Sequence, residues 1–190
     1  MELSRVNLKV FLDRWEVSPD ETFKTFNNWI SDISDETLVD VADYSHVHGG
    51  PITLLVGHEA NYCIDESDGR LGLLYARKRQ LEGDLGARLL AVLRSALNAC
   101  SRLEREEKLR GRVSFRGDQL RLIANDRLEA PNSAASMEAL RTGLEPLLNT
   151  LFDGAEFSIE HDPDTRNRLS LMVSTSAQGD ISTLFERLNA

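Results

Sequence analysis

Residues 40–59 read DVADYSHVHGGPITLLVGHE, and the Gly49-Gly50-Pro51 triplet inside that stretch separates two extended segments. Residues 38–44 lead into it. Residues 52–56 follow as an almost unbroken apolar run, the composition of a central strand covered on both faces. Two glycines and a proline are turn chemistry, since glycine tolerates positive φ and proline presets its own. The stretch predicts an antiparallel hairpin with His58 lying across from residues 41–43.

Working outward, Val6, Leu8, Val10 and Leu12 alternate with Asn7, Lys9 and Phe11, the period-two pattern of a strand with one face on the core. Ser18-Pro19-Asp20-Glu21 is a capping box with proline at the first helical position. The helix it opens is expected to bury Phe23, Phe26, Ile30 and Ile33. Residues 61–65 and 71–75 are two further extended segments around Glu66-Ser67-Asp68-Gly69, where Asp-Gly signals a hairpin.

From Asp84 the longest helix carries Leu85, Leu89, Val92, Ala96, Cys100 and Leu103 along one face. Its charged end, residues 104–108, is expected to project into water, and Gly111 to terminate it. Residues 113–115 and 120–123 flank Gly117-Asp118 as a predicted hairpin. A second helix bears Met137, Leu140, Leu144, Leu148 and Leu151, with a bend expected at Pro146. After Asp153-Gly154 a last hairpin pairs Phe157 and Ile159 with Leu169, Leu171 and Val173, and a short helix with Ile181, Leu184, Phe185 and Leu188 closes the chain.

These elements predict an α+β fold: a mixed, largely antiparallel sheet built from hairpins, with the two long helices on one face and the first helix beside the central strands. Helix then hairpin occurs twice, which raises a duplicated helix-strand-strand unit. The 190 residues suit one domain, 1–190, whose weakest join is Ala130-Pro131-Asn132-Ser133 near 130–133.

A net charge of -9 and a pI near 5.0 oppose nucleic-acid binding, which draws affinity from Lys and Arg displacing counterions. No run approaches membrane-spanning length. Cys63 and Cys100 form no CxxC pair, which suits a reducing compartment, so the expected address is cytoplasmic. Partners are then a protein or a small ligand, with a homo-oligomer left open.

His46, His48 and His58 concentrate metal and proton chemistry in residues 40–59. An HxH pair on an extended segment points both rings one way, and His58 or Glu59 would add a third ligand, zinc being the natural ion. A turn at Gly49-Gly50 opposes this, because it leaves His58 about 10 Å or more from the pair. The alternative pairing is Asp43 with His58, a carboxylate orienting an imidazole for base chemistry or simply satisfying it. Ser45 and Cys63 are the nearest nucleophile candidates, and neither sits in a recognisable motif. Arg70 and Arg77, with the backbone of Gly49, Gly50, Gly57, Gly69 and Gly72, form a third candidate site, for a small anion. His161 is expected to be exposed.

Residues 40–65, continuing as GRLGLLYARKR, resemble a family of uncharacterised small bacterial proteins over residues 40–79. The resemblance implies a bacterial cytosolic origin and a single small domain, and carries no catalytic residue or cofactor. The leading expectation is a soluble, acidic, non-enzymatic binding or accessory module. Its rival is a metal-dependent hydrolase using His46, His48, His58 and Glu59.

Overall fold

A computed structural model describes residues 3, 5–32, 36–177 and 179–189. Among these, eight strands and four helices follow in the order β1 (Val6–Trp15), α1 (Pro19–Ser31), β2 (Leu38–Asp43), β3 (Pro51–Gly57), β4 (Ala60–Asp65), β5 (Gly72–Arg77), α2 (Leu85–Arg105), β6 (Val113–Ala124), α3 (Ala134–Leu151), β7 (Phe157–His161), β8 (Ser170–Thr175) and α4 (Ile181–Asn189). The strands form one sheet in the order β2-β3-β4-β5-β1-β6-β8-β7. Every pairing is antiparallel, so the fold is α+β. No helix among the described residues is long and apolar enough to cross a membrane.

The alternation of β1 decides where the core lies. Leu8 faces the same side as its cross-strand neighbours Tyr75 and Leu122, and the row continues through Tyr62, Leu55 and Val41 on one flank and Leu171 on the other. All are buried. Helix α2 lies over β1, β5 and β6, α4 over β6, α3 beside β7, and α1 over β2 and β3. One hydrophobic cluster therefore runs from Leu3 to Leu188. Phe11 and Cys63 are buried apolar side chains outside it. They point to the opposite face of the sheet, which no helix among the described residues covers.

Several details depart from the sequence-based reading, each for a local reason. The segment expected to form a hairpin about Gly117-Asp118 is the single strand β6, which bulges there. Val10 pairs with Leu120 but Leu12 with Phe115, so β6 carries extra residues between its two contacts with β1. A Cβ on Gly117 would lie 1.8 Å from the Gly179 carbonyl oxygen, so this glycine admits a neighbouring backbone instead of turning the chain. Of the two expected helix-strand-strand copies, only α3-β7-β8 has that form, since α2 is followed by the single strand β6.

The apolar run 52–56 belongs to β3, second from the sheet edge, and α1 accordingly sits over edge strands, not central ones. Helix α1 has the expected capping box but buries Thr22, Thr25, Phe26 and Trp29, leaving Phe23 at 36% exposure; Ile33 lies outside the described residues. At the end of α2, Glu104 turns inward and accepts the Phe115 amide hydrogen at 2.8 Å. Helix α3 runs through Pro146 without interruption.

Gly72 is the tightest close approach beside the uncovered face. A Cβ there would stand 2.6 Å from the Val10 carbonyl oxygen and 3.0 Å from Lys9 Cε. Gly72→Ala should therefore destabilise the protein by about 1–3 kcal/mol in urea unfolding, the range for overpacking. Gly86→Ala, in the first turn of α2 with its Cβ meeting nothing nearer than 3.5 Å, should instead be neutral or stabilise by up to about 1 kcal/mol.

Candidate functional site

The uncovered face is organised around Lys9, in the middle of the sheet and only 1% exposed. Its ammonium donates to Asp65 Oδ2 at 2.8 Å and to Asp68 Oδ1. Both partners belong to the β4–β5 turn, where Gly69 N donates to Glu66 O at 2.9 Å and the Ser67 hydroxyl donates to Asp65 at 2.8 Å. Asp65 sits opposite Gly72, whose missing side chain leaves room for the Lys9 stem. Arg121, across from Lys9 on β6, donates to Asp68 Oδ2 at 3.2 Å and to the Ser170 hydroxyl at 3.1 Å.

A single charge so deeply buried costs several kcal/mol, and only close pairing with further hydrogen bonds offsets it. Burial raises the Asp68 pKa, but the hydrogen bond and charge of Lys9, joined by Arg121, outweigh this and hold it below the usual carboxylate value. Phe11, adjacent on β1, is roofed by the Arg70 guanidinium at 3.7 Å from its ring centroid, and Arg70 also donates to Gln119 at 2.6 Å.

A recess of about 340 Å³ opens over this network, walled by Leu74 and Ile123 and rimmed by Asn167 and Arg168. A second, of about 310 Å³, shares Arg121 and Ser170 and extends to Glu160, His161 and Met172. Together they form a groove across β1, β6 and β8. The His161 ring is half-buried, not exposed as expected, and its Nε2 lies 2.6 Å from Asn132 Oδ1. Asn132 commits its amide hydrogens to the carbonyls of Asp162 and Asp164, so the ring must carry a proton on Nε2. Asn7 Oδ1, beside Lys9 on the same face, is buried, and no donor among the described residues reaches it. Cys63 lies on this face too, but burial pushes its thiol up to about 12, which leaves it without nucleophilic thiolate at neutral pH.

The histidine stretch is dispersed by the register of its hairpin. Tyr44 N donates to Ile52 O and Val47 N to Tyr44 O, so the reversal spans residues 45–51 and is centred upstream of the glycine pair. Asp43 pairs with Thr53, while His58 N bonds Thr37 O at the far end of β3. The predicted Asp43–His58 pairing is therefore absent: the two residues are about 17 Å apart along the strand. His46 and His48 are exposed in the turn, Tyr44 stacking on His46 at 6.5 Å, with His58 at the opposite end. Asp43 is engaged by the Ser45 amide, which holds its carboxyl below the usual value.

Glu59 pairs with Arg77 at 2.8 Å and Arg79 at 3.5 Å. Arg70 and Arg77 bracket β5, about 20 Å apart, and do not converge. Among the described residues no group of three or more His, Cys, Asp or Glu side chains could hold a metal ion.

Comparison of the chain with protein-family models, curated proteins and solved structures finds no match.

Lys9→Met would strand Asp65, itself 4% exposed, as an unpaired buried carboxylate. The expected cost is about 3–5 kcal/mol in chemical unfolding, much of it recovered in Lys9→Met/Asp65→Leu. For Asp68, the depressed native pKa places its stabilising contribution above the ordinary value of 3.8, to be lost as pH falls through the lower native value. The stability gap between wild type and Asp68→Asn should accordingly shrink in acid, measured by urea titrations from pH 7 downward.

Proposed function

We propose that the chain is a non-enzymatic binding module that holds a small ligand in the groove on the helix-free face of its sheet. The observation that carries this reading is the groove's composition: a buried, fully paired ion cluster as its floor, apolar walls at Leu74 and Ile123, and hydrogen-bonding groups at its rim. This is the usual make-up of a ligand site, apolar surface with a few fixed polar groups. Catalysis needs a nucleophile or base in reach of a partner. Here the Ser67 hydroxyl donates to Asp65, Ser170 accepts from Arg121, His161 is held through Nε2 by Asn132, and among the described residues no hydrogen bond joins either serine to the imidazole. The free, buried cysteines and the resemblance over residues 40–79 support a bacterial, cytoplasmic setting.

Methyl NMR of the protein in the small-molecule fraction of a bacterial extract tests the reading. Resonances of Leu74, Ile123 and Met172 should move while those of Leu8, Leu122 and Leu171, under the helices, stay in place. Shifts confined to the helix-covered side, or turnover of an extract component that Arg121→Gln abolishes with the fold retained, would overturn it.

A further inference from the structure

The groove is not electrically uniform, and its donors outnumber its acceptors at one end. Lys9, Arg121 and Arg168 face the larger recess against Asp65 and Asp68, a surplus of one positive charge in a chain whose net charge is -9. Each carboxylate is already engaged by three donors, those on Asp65 all at Oδ2. Asp65 accepts from Lys9 and from the Ser67 hydroxyl and amide, and Asp68 from Lys9, Arg121 and the Arg70 amide.

The cations keep donors in reserve. An ammonium has three N–H groups and a guanidinium five. Among the described residues Lys9 uses two, Arg121 two, and Arg168 one, on Asn125 Oδ1 at 2.7 Å. The smaller recess carries Glu160 and Asp162 instead, so negative charge is favoured only at the Lys9–Arg168 end.

Resting on the binding reading above, we infer that the recess over Lys9, between Arg121 and Arg168, receives the carboxylate of a small organic acid whose hydrocarbon part lies along Leu74 and Ile123. Lys9 and its two aspartates form the fixed floor, 2% and 5% exposed at the Lys9 and Asp65 side chains, so this end of the site is already assembled before a ligand arrives. Arg168, at the exposed rim, closes on the anion by a charge-assisted hydrogen bond.

Hexanoate and its uncharged match hexanamide serve as probes, titrated against the Leu74 and Ile123 methyl resonances of the full chain. Hexanoate should shift these signals saturably, with hexanamide weaker by about tenfold or more, the value of a hydrogen bond to a charged group. Arg168→Gln, at an exposed rim position, should retain the fold and weaken hexanoate by a similar factor while leaving hexanamide unchanged; Arg121→Gln is the second variant, checked by its unperturbed core methyls. Equal binding of acid and amide at these methyls would overturn the carboxylate assignment and leave the groove a binding site. Absence of any saturable hexanoate shift there would overturn it as well, and the extract experiment then decides separately whether the groove binds anything. Indifference of hexanoate affinity to both arginine variants would also sink it.

Discussion

An ammonium group placed in the centre of an eight-stranded sheet, with a hundredth of its surface in water, must be compensated or it unfolds the structure around it. Lys9 meets that demand by drawing the β4–β5 turn over itself: Asp65 ends one strand, Asp68 follows three residues later, and Gly69 lets the turn close with φ at +74°. The same demand explains the bare backbone of Gly72, since any side chain there would collide with β1 and with the lysine stem. Arg121 extends the network from β4 across β1 to β6. The ion cluster thus fastens the two halves of the sheet to one another on the face that has no helices to do so.

The helices gather on the other face, and their one-sided packing has a consequence for β3. Its apolar run supplies Leu55 to the core and Leu54 and Val56 to the uncovered face, where they remain half-buried. Polar and apolar groups therefore share that face, charges and hydroxyls near β1, β6 and β8, hydrocarbon toward β3. A surface of this mixed kind, with a walled recess at its polar end, is suited to holding a molecule that has both characters.

Much of the architecture was legible because periodicity and caps act locally. The alternation of residues 6–12, the box at Ser18 and Glu21, and the stripe from Leu85 to Leu103 each became the expected element. Turns were harder. Gly117-Asp118 has the composition of a hairpin loop but serves a bulge, and Gly49-Gly50 lies toward the far end of a longer loop instead of at its centre, which slid His58 from Asp43 to Thr37. A shift of a few residues in a turn leaves hydrophobic periodicity intact while relocating every polar pair.

The groove itself was invisible for a different reason. Lysine in an alternating strand ordinarily marks the wet face, and nothing near Lys9 in the chain announces carboxylates that lie 56 and 59 residues away. Asp68 reads as turn chemistry and Asp65 as the end of an extended segment, and each is that as well. Arg121 and Arg168 carry no motif at all, and only the antiparallel register brings them beside Lys9.

Lysine acylation followed by mass spectrometry probes the buried ammonium directly, since the chain has only Lys9, Lys24, Lys78 and Lys108 to compare. In the folded protein Lys24, Lys78 and Lys108, all exposed, should react while Lys9 stays unmodified until denaturant is added. Modification of Lys9 at the rate of the other three, with the fold intact, would contradict a sheet built around a buried, ion-paired Lys9–Asp65–Asp68 cluster.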